Sequence, residues 1–336
     1  MSQVFKPKIA IVGSGAVGSV IGGLLAREGE NATLIARKAH VETINKNGLF
    51  IDGILGSFSV HVQAKEELTF RPDLVLLTVK AQDVESVCRQ IKPYITDVPV
   101  VTLQNGIRSE EMAASLLGEK NIIRGVVLFN AQFLKSGCVT YGEKGSLLLG
   151  EAFRQNGRRV ADIAGILRRA IKTEVSDNIY GVRWTKLLVR VMVNSLEAMT
   201  GLSFKECMRY PGMRRIGMFI LREAFEVVEK AGVKLEPLPG LPLTVFKLII
   251  KSPLVIASLA LRLRMSSTDT ITSTLQSMRR GRPTEINYLN GEIVIQGRAV
   301  NISTPYNLKA VELVHAVERT GRFCSPLHLE SQFLSG

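Results

Sequence analysis

Six residues near the N-terminus, Gly13-Ser14-Gly15-Ala16-Val17-Gly18, constrain the fold of this 336-residue chain more than any others. They follow a short β-branched run, Lys8–Gly13, and open a helix-compatible stretch, Ala16–Glu28, that stops at Gly29. In that setting each glycine has its own task. Gly13 permits the tight turn, Gly15 lets a pyrophosphate approach the backbone, and Gly18 allows the helix to pack closely on the strand. The amides at the helix N-terminus then face phosphate oxygens. A plain strand-turn-helix connection explains three glycines at this spacing less well, so Gly13, Ser14, Gly15, Ala16, Val17 and Gly18 are expected to hold a dinucleotide.

The second apolar run, Ala32–Ala36, is followed by Arg37 and Lys38. A ribose bearing free hydroxyls is usually met there by Asp or Glu, and no carboxylate is present. Arg37 would instead pair with a 2′-phosphate, because a guanidinium fork matches phosphate geometry and an acid would repel it. The expected cofactor is therefore NADPH rather than NADH. The competing reading makes Arg37 a solvated loop charge.

Further strand candidates are Ser57–Val62, Leu74–Val79, Val98–Leu103 and Ile122–Leu128, with helical patterns at Val84–Ile91 and Glu110–Leu117 between the later ones. This alternation predicts an α/β N-terminal half, a Rossmann-type doubly wound sheet. Val139–Gly150 can add strands to it. The rhythm then changes: Asn178–Thr200, Met213–Ala231, Thr244–Arg264 and Glu285–Arg298 read as long helices. The expected organisation is a dinucleotide-binding domain over 1–172 and a mainly α-helical, substrate-binding and catalytic domain over 173–336.

Composition excludes several alternatives. With 46% hydrophobic and 22% charged residues the chain is neither disordered nor a low-complexity repeat. Its four cysteines form no CxxC pair and no histidine stands at zinc-ligand spacing, so no metal is expected and a reducing, cytoplasmic setting fits best. The start of the chain shows no secretory signal. The 43 Lys and Arg against 30 Asp and Glu give a net charge of +13, which favours anionic partners. An anionic cofactor accounts for part of it, and without an RNP-type or helix-turn-helix signature nucleic acid is not expected. Leu241–Leu261 is apolar but interrupted by Pro242, Lys247, Lys251 and Pro253. It reads as a buried or partner-facing helical hairpin rather than a membrane span, with an amphipathic surface helix as the alternative.

Within the apolar helix Trp184–Met199, Lys186, Arg190 and Asn194 recur every four residues and fall within an arc of about 80°. Two like charges four apart repel, and burying either without a partner costs several kcal/mol. The stripe must therefore face water, a carboxylate such as Glu223 or Glu285, or an anionic ligand. A binding cleft meets these demands, and a lysine there, its pKa lowered by desolvation and a neighbouring arginine, is suited to donate a proton near neutral pH. Two more polar residues, Lys80 and Asn105, stand just past strand ends, where an open α/β sheet places its ligands. Local turn and surface roles compete for them.

Taken in order, GSGAVG at Gly13–Gly18, VKAQD at Val79–Asp83, LQNGI at Leu103–Ile107, the run Arg183–Gly201, the run Ser273–Val294 and TPYN at Thr304–Asn307 resemble the ketopantoate reductase (2-dehydropantoate 2-reductase) family over nearly the whole chain. The resemblance implies NADPH-dependent reduction of a small 2-oxo acid, ketopantoate, to (R)-pantoate on the route to coenzyme A. It puts the catalytic lysine on Lys186 and an accompanying glutamate on Glu285. It also implies that Ser273 binds the substrate carboxylate, that Asn194 contacts substrate, and that Lys80 and Asn105 line the nicotinamide and substrate side. Arg190 stands where an asparagine is usual, Asn287 and Ser277 replace acids, and Leu235–Arg264 is longer than in compact members. Arg190 is therefore a substrate-binding candidate for a second or differently placed carboxylate, and a reductase of another 2-oxo acid is the nearest alternative. A non-catalytic NADP-binding regulator is a further one. The apolar helices make a homodimer plausible.

Overall fold

Strand β1 (Lys8–Val12) is buried along all but its first residue, the pattern of a parallel strand covered on both faces. Its alternate side chains serve two cores. Ile9 and Ile11 join Leu34, Leu74 and Leu76 beneath Val20, Ile21, Leu24 and Leu25 of helix α1 (Ala16–Arg27). Ala10 and Val12 join Val75 and Leu77 on the opposite face. The two-residue period of a strand thus sorts one apolar run into two layers, each fully buried Val, Leu or Ile side chain contributing about 1.5–3 kcal/mol. The computed structural model describes residues 6–264 and 271–334.

The chain divides into two compact units, Met1–Tyr180 and Gly181–Gly336. In the first, the remaining strands are β2 (Asn31–Ile35), β3 (Leu49–Gly53), β4 (Phe58–Val60), β5 (Gln63–Lys65), β6 (Leu74–Leu77), β7 (Val100–Thr102), β8 (Ile122–Val127), β9 (Asn130–Lys135), β10 (Cys138–Glu143), β11 (Leu147–Glu151) and β12 (Thr173–Val175). Eight of them form a sheet in the order β12-β11-β8-β7-β6-β1-β2-β5, all neighbours parallel except β11 with β8. The winding reverses about β1, which has β2 on one side and β6 on the other. That is the switch point where an open α/β sheet receives a ligand. Helices α2 (Lys38–Asn47), α3 (Val84–Ile91), α4 (Ser109–Leu117) and α5 (Arg158–Arg168) complete the unit.

The expected doubly wound sheet is therefore present, with additions. A four-stranded sheet, β4-β3-β10-β9, packs beside α1; the strand expected over Ser57–Val62 is the shorter β4 within it, and β5 follows in the large sheet. The strands foreseen within Val139–Gly150 are β10 and β11. Because β12 pairs with β11, Leu147 opposite Thr173, this segment lies with the sheet, and the division falls later than residue 172.

The second unit is helical: α6 (Ile179–Thr200, its first turn crossing the division), α7 (Phe204–Cys207), α8 (Pro211–Lys230), α9 (Leu243–Lys251), α10 (Leu254–Arg264), α11 (Ser273–Arg279), α12 (Asn290–Ala299), α13 (Pro305–Thr320) and α14 (Pro326–Leu334). A buried polar hub joins them. Glu223 accepts the amides of Tyr306 and Asn307 at the start of α13, at 2.8 and 2.9 Å, and the Asn307 amide group at 2.8 Å. Asn290 donates to Asn307 Oδ1 and to Val191 O, both at 3.0 Å. The carboxylate so engaged is one of those considered as a partner for the stripe on α6.

Two expected helices are broken. Thr244–Arg264 separates into α9 and α10 because Pro253 lacks an N–H and pushes Ser252 to extended backbone, φ −72° and ψ 159°. Glu285–Arg298 becomes a 3-10 turn over Ile286–Tyr288, an irregular Leu289, and α12. The α9–α10 hairpin buries Phe246, Ile250, Ala257 and Leu261, while Val245, Leu248, Val255, Ile256, Leu259 and Leu263 remain exposed. Among the described residues no helix is long and apolar enough to cross a membrane.

Candidate active site

The glycine loop is a tight, self-bonded turn. Gly13 and Ser14 both donate to Ile35 O, at 3.0 and 2.9 Å, which fastens the end of β1 to the end of β2. Gly13 has φ +91°, and a Cβ on it would stand 2.3 Å from Val79 Cγ1. At Gly18 a Cβ would stand 2.4 Å from Thr78 Oγ1, so helix and strand touch there without space for a side chain. Gly15 differs: its Cβ would meet nothing nearer than Gly13 O at 3.9 Å, so its face is open. Gly15 caps α1 without a side-chain acceptor, and no acid lies in the first turn. An open backbone face and amides without a side-chain acceptor at a helix N-terminus fit a pyrophosphate.

A buried chain holds this loop from behind. The Gly137 amide donates to His40 Nδ1 at 2.9 Å, which leaves the proton of the neutral ring on Nε2, 3.0 Å from Ser19 Oγ. Ser19 Oγ in turn donates to Ser14 O at 3.2 Å. Burial pushes the pKa of His40 down to about 4, so the ring is neutral over most of the pH range. Sequence reasoning missed His40, whose partner Gly137 lies 97 residues further along the chain.

Arg37 is exposed two residues past the end of β2, at the cap of α2, and makes no ion pair among the described residues. Lys38 stands 4.0 Å from Glu42. No carboxylate stands in the chain between Asn31 and Val41, so this sheet end keeps its positive charge.

The loops after β1, β6 and β7 are cross-linked. Thr78 Oγ1 lies 3.2 Å from Val12 O and 3.1 Å from Gly13 O. Gln104 Nε2 donates to Leu77 O at 2.8 Å and to Val79 O at 3.2 Å. Lys80 and Asn105, both half-buried, are thereby held on adjacent strand ends beside the switch point. Gln104 itself was visible only as a neighbour of Asn105; its bonding shows why a long amide stands there.

In the second unit α6 is buried around Trp184, Leu187, Leu188, Val191 and Leu196, with Lys186 and Arg190 half-buried and Asn194 buried. Lys186 is pushed well below the ordinary lysine pKa, first by desolvation and then by the charges of Arg190 and Arg183, with Glu285 acting in the opposite sense. Arg183, one turn earlier, is buried and lowered to about 9 by that burial. Lys186 thus feels two guanidinium charges that disfavour its protonation and one buried carboxylate that favours it, all within this unit.

The far end of the stripe is tied to α11. Asn194 Nδ2 donates to Thr274 Oγ1 at 2.8 Å, and Asn194 Oδ1, buried, has no hydrogen-bond partner among the described residues. Ser273, the expected carboxylate ligand, is the first residue of α11 and is exposed; its neighbour Thr274 makes the contact with Asn194. Glu197, fully buried and one turn beyond Asn194, accepts Thr272 N at 2.7 Å and Phe204 N at 2.9 Å. Burial raises its pKa against those bonds. Sequence reasoning missed Glu197 and Thr274, although a lone acid inside an apolar helix is a signal that could have found the former.

Comparisons with known proteins agree in both halves. The family model described as Ketopantoate reductase PanE/ApbA matches residues 9–153, and that described as Ketopantoate reductase PanE/ApbA C terminal matches residues 178–318. A 2-dehydropantoate 2-reductase of Pyrococcus horikoshii is 33% identical over 94% of this chain and 98% of its own length; one from Archaeoglobus fulgidus is 26% identical over 93% and 98%. Among solved structures, a PanE/ApbA family ketopantoate reductase from Ralstonia eutropha JMP134 aligns with TM-score 0.80 and 31% identity over 93% of this chain and 98% of that one. A ternary structure of D-mandelate dehydrogenase with NADH and anilino(oxo)acetate aligns with TM-score 0.80 and 25% identity, over 93% and 98%. With both family models matched in order and relatives aligned end to end, the chain belongs to the ketopantoate reductase family.

Proposed function

We propose that the protein reduces ketopantoate to (R)-pantoate with NADPH in the cytoplasm, on the route to coenzyme A. It is an oxidoreductase acting on a CH–OH group, as its relatives' names describe. The observation that carries the reading is Lys186, an ammonium made more acidic by burial and by Arg190 and Arg183. When bound, the reduced dinucleotide supplies a hydride to the substrate's C2 carbonyl carbon. Lys186 stabilises the charge that develops on the carbonyl oxygen and gives it a proton, which leaves a neutral amine in a setting that favours one. Glu285 opposes the two arginines and keeps the ammonium protonated long enough to act. Asn194 and Ser273 bind and orient the oxo acid, with Thr274 holding the Asn194 amide.

Gly13 to Gly18 would carry the pyrophosphate, Arg37 the 2′-phosphate, and Lys80 and Asn105 the nicotinamide side. Support for the phosphate assignment is the open face at Gly15 and the absence of any acid between Asn31 and Val41. The test is turnover over a panel of 2-oxo acids with NADPH and with NADH. Ketopantoate with NADPH should give the highest kcat/KM; rapid turnover of another oxo acid with none for ketopantoate would overturn the substrate and keep the reaction class.

A second reading rests on Arg190. It is half-buried on the same stripe as Lys186, and a guanidinium there can pair with a second carboxylate. A dicarboxylic 2-oxo acid in the same panel would then exceed ketopantoate.

A further inference from the structure

The short loop that carries Glu285 is fastened on both sides to one helix. Thr284 N donates to Glu318 Oε1 at 2.7 Å, and Asn287 Oδ1 stands 2.9 Å from His315 Nε2. The two α13 side chains are joined to each other, His315 Nδ1 to Glu318 Oε2, at 2.7 Å. Thr284 Oγ1 also accepts Ile286 N at 3.3 Å, which closes the turn around Glu285. The residue before Glu285 and the second residue after it are therefore both held by an imidazole–carboxylate pair that has no part in the stripe on α6. Pro283 and a 3-10 turn give this loop no regular helix of its own to set the direction of the Glu285 side chain.

We propose that His315 and Glu318 are positioning residues for Glu285, fixing its carboxylate where it acts on Lys186. The inference rests on the reading of Glu285 as part of the reaction machinery. Displacing a reacting group by about 1 Å can lower the rate about 100-fold, so the pair acts on kcat without touching substrate. Gln at 318 can still accept the Thr284 amide through its carbonyl oxygen, whereas Ala cannot.

The experiment compares Glu318→Ala, Glu318→Gln, His315→Ala, Asn287→Ala and Glu285→Ala by kcat, KM for NADPH and thermal midpoint. Glu318→Ala is expected to lower kcat about 10- to 100-fold with KM for NADPH unchanged, Glu318→Gln to restore most of it, and Glu318→Ala added to Glu285→Ala to cause no further loss, since the two then act through one group. If Glu285→Ala is slow while Glu318→Ala, His315→Ala and Asn287→Ala all turn over at the parental rate, the positioning role is wrong. Parental turnover by Glu285→Ala removes instead the role of Glu285 itself. Should Glu318→Ala not fold, His315→Ala and Asn287→Ala, which leave the Thr284 bond in place, carry the same comparison.

Discussion

Asn194 Nδ2 donates to Thr274 Oγ1 across 2.8 Å, which ties the first turn of α11 to the helix that carries Lys186 two turns earlier. Thr274→Val keeps the shape and removes the acceptor, leaving a buried amide group without a partner, a penalty of about 1–3 kcal/mol. If Asn194 orients the oxo acid, the variant should raise KM for that substrate more than it lowers kcat, with NADPH affinity intact. An unchanged KM would show that the Asn194 amide does not meet substrate.

Lys186→Ala removes the proton donor and the positive charge together. Losses of about 10² to 10⁴ in kcat are typical for such a group, and NADPH binding, followed by nicotinamide fluorescence, should remain near the parental value. The same measurement separates the enzyme from a non-catalytic NADP-binding regulator, which has no turnover to lose.

The neighbours of Lys186 give a pH test with opposite signs. The general acid must be protonated, so kcat falls as pH rises through its pKa. Arg190 lowers that pKa and Glu285 raises it. Arg190→Met should therefore move the alkaline limb of the kcat profile to higher pH, and Glu285→Gln should move it to lower pH. Two shifts in the same direction would mean that another group controls the limb.

Much of this was legible in residue order because the features are local. The glycine loop, the switch from strand to helix rhythm and the four-residue recurrence of Lys186, Arg190 and Asn194 each lie within one element, where period and spacing determine which residues share a face. What escaped was set by pairing across the chain. The sheet β4-β3-β10-β9 joins segments about ninety residues apart, with Cys138 opposite Phe50, through strands such as NAQFLK and CVTYGE that carry too many polar residues to register as apolar runs. His40 gains its role from Gly137, and Glu197 from Thr272, by bonds that no periodicity announces. The break at Pro253 was readable from its missing amide: the hairpin reading of Leu241–Leu261 used it, and the single helix read over Thr244–Arg264 did not.

Cofactor choice should turn on Arg37. The parent is expected to prefer NADPH, and Arg37→Ala should lose affinity for NADPH while its affinity for NADH changes little, because only the 2′-phosphate meets the guanidinium. Loss of a charge-assisted contact of about 1.5–3 kcal/mol corresponds to roughly a 10- to 100-fold rise in Kd. A parent that binds NADH better than NADPH would remove the role given to this end of β2.

His40 predicts how stability follows acid. Its pKa is 6.5 unfolded and about 4 folded, because protonation would place a charge in a buried site where Nδ1 already accepts the Gly137 amide. Between those values the unfolded chain binds the extra proton, so the contribution of His40 is complete above about pH 6.5 and is lost as pH falls toward about 4. Over that span it amounts to about 3 kcal/mol. Urea unfolding at pH 7 and at pH 4.5 should show a smaller loss of stability for His40→Gln than for the parent, the difference between the two chains isolating this residue from the carboxylates that also titrate. Equal losses in both would mean that His40 is protonated in the fold. The hydrogen-bond chain from Gly137 through His40 and Ser19 to Ser14 O would then not hold the glycine loop in the form described, since a charged ring cannot accept the Gly137 amide.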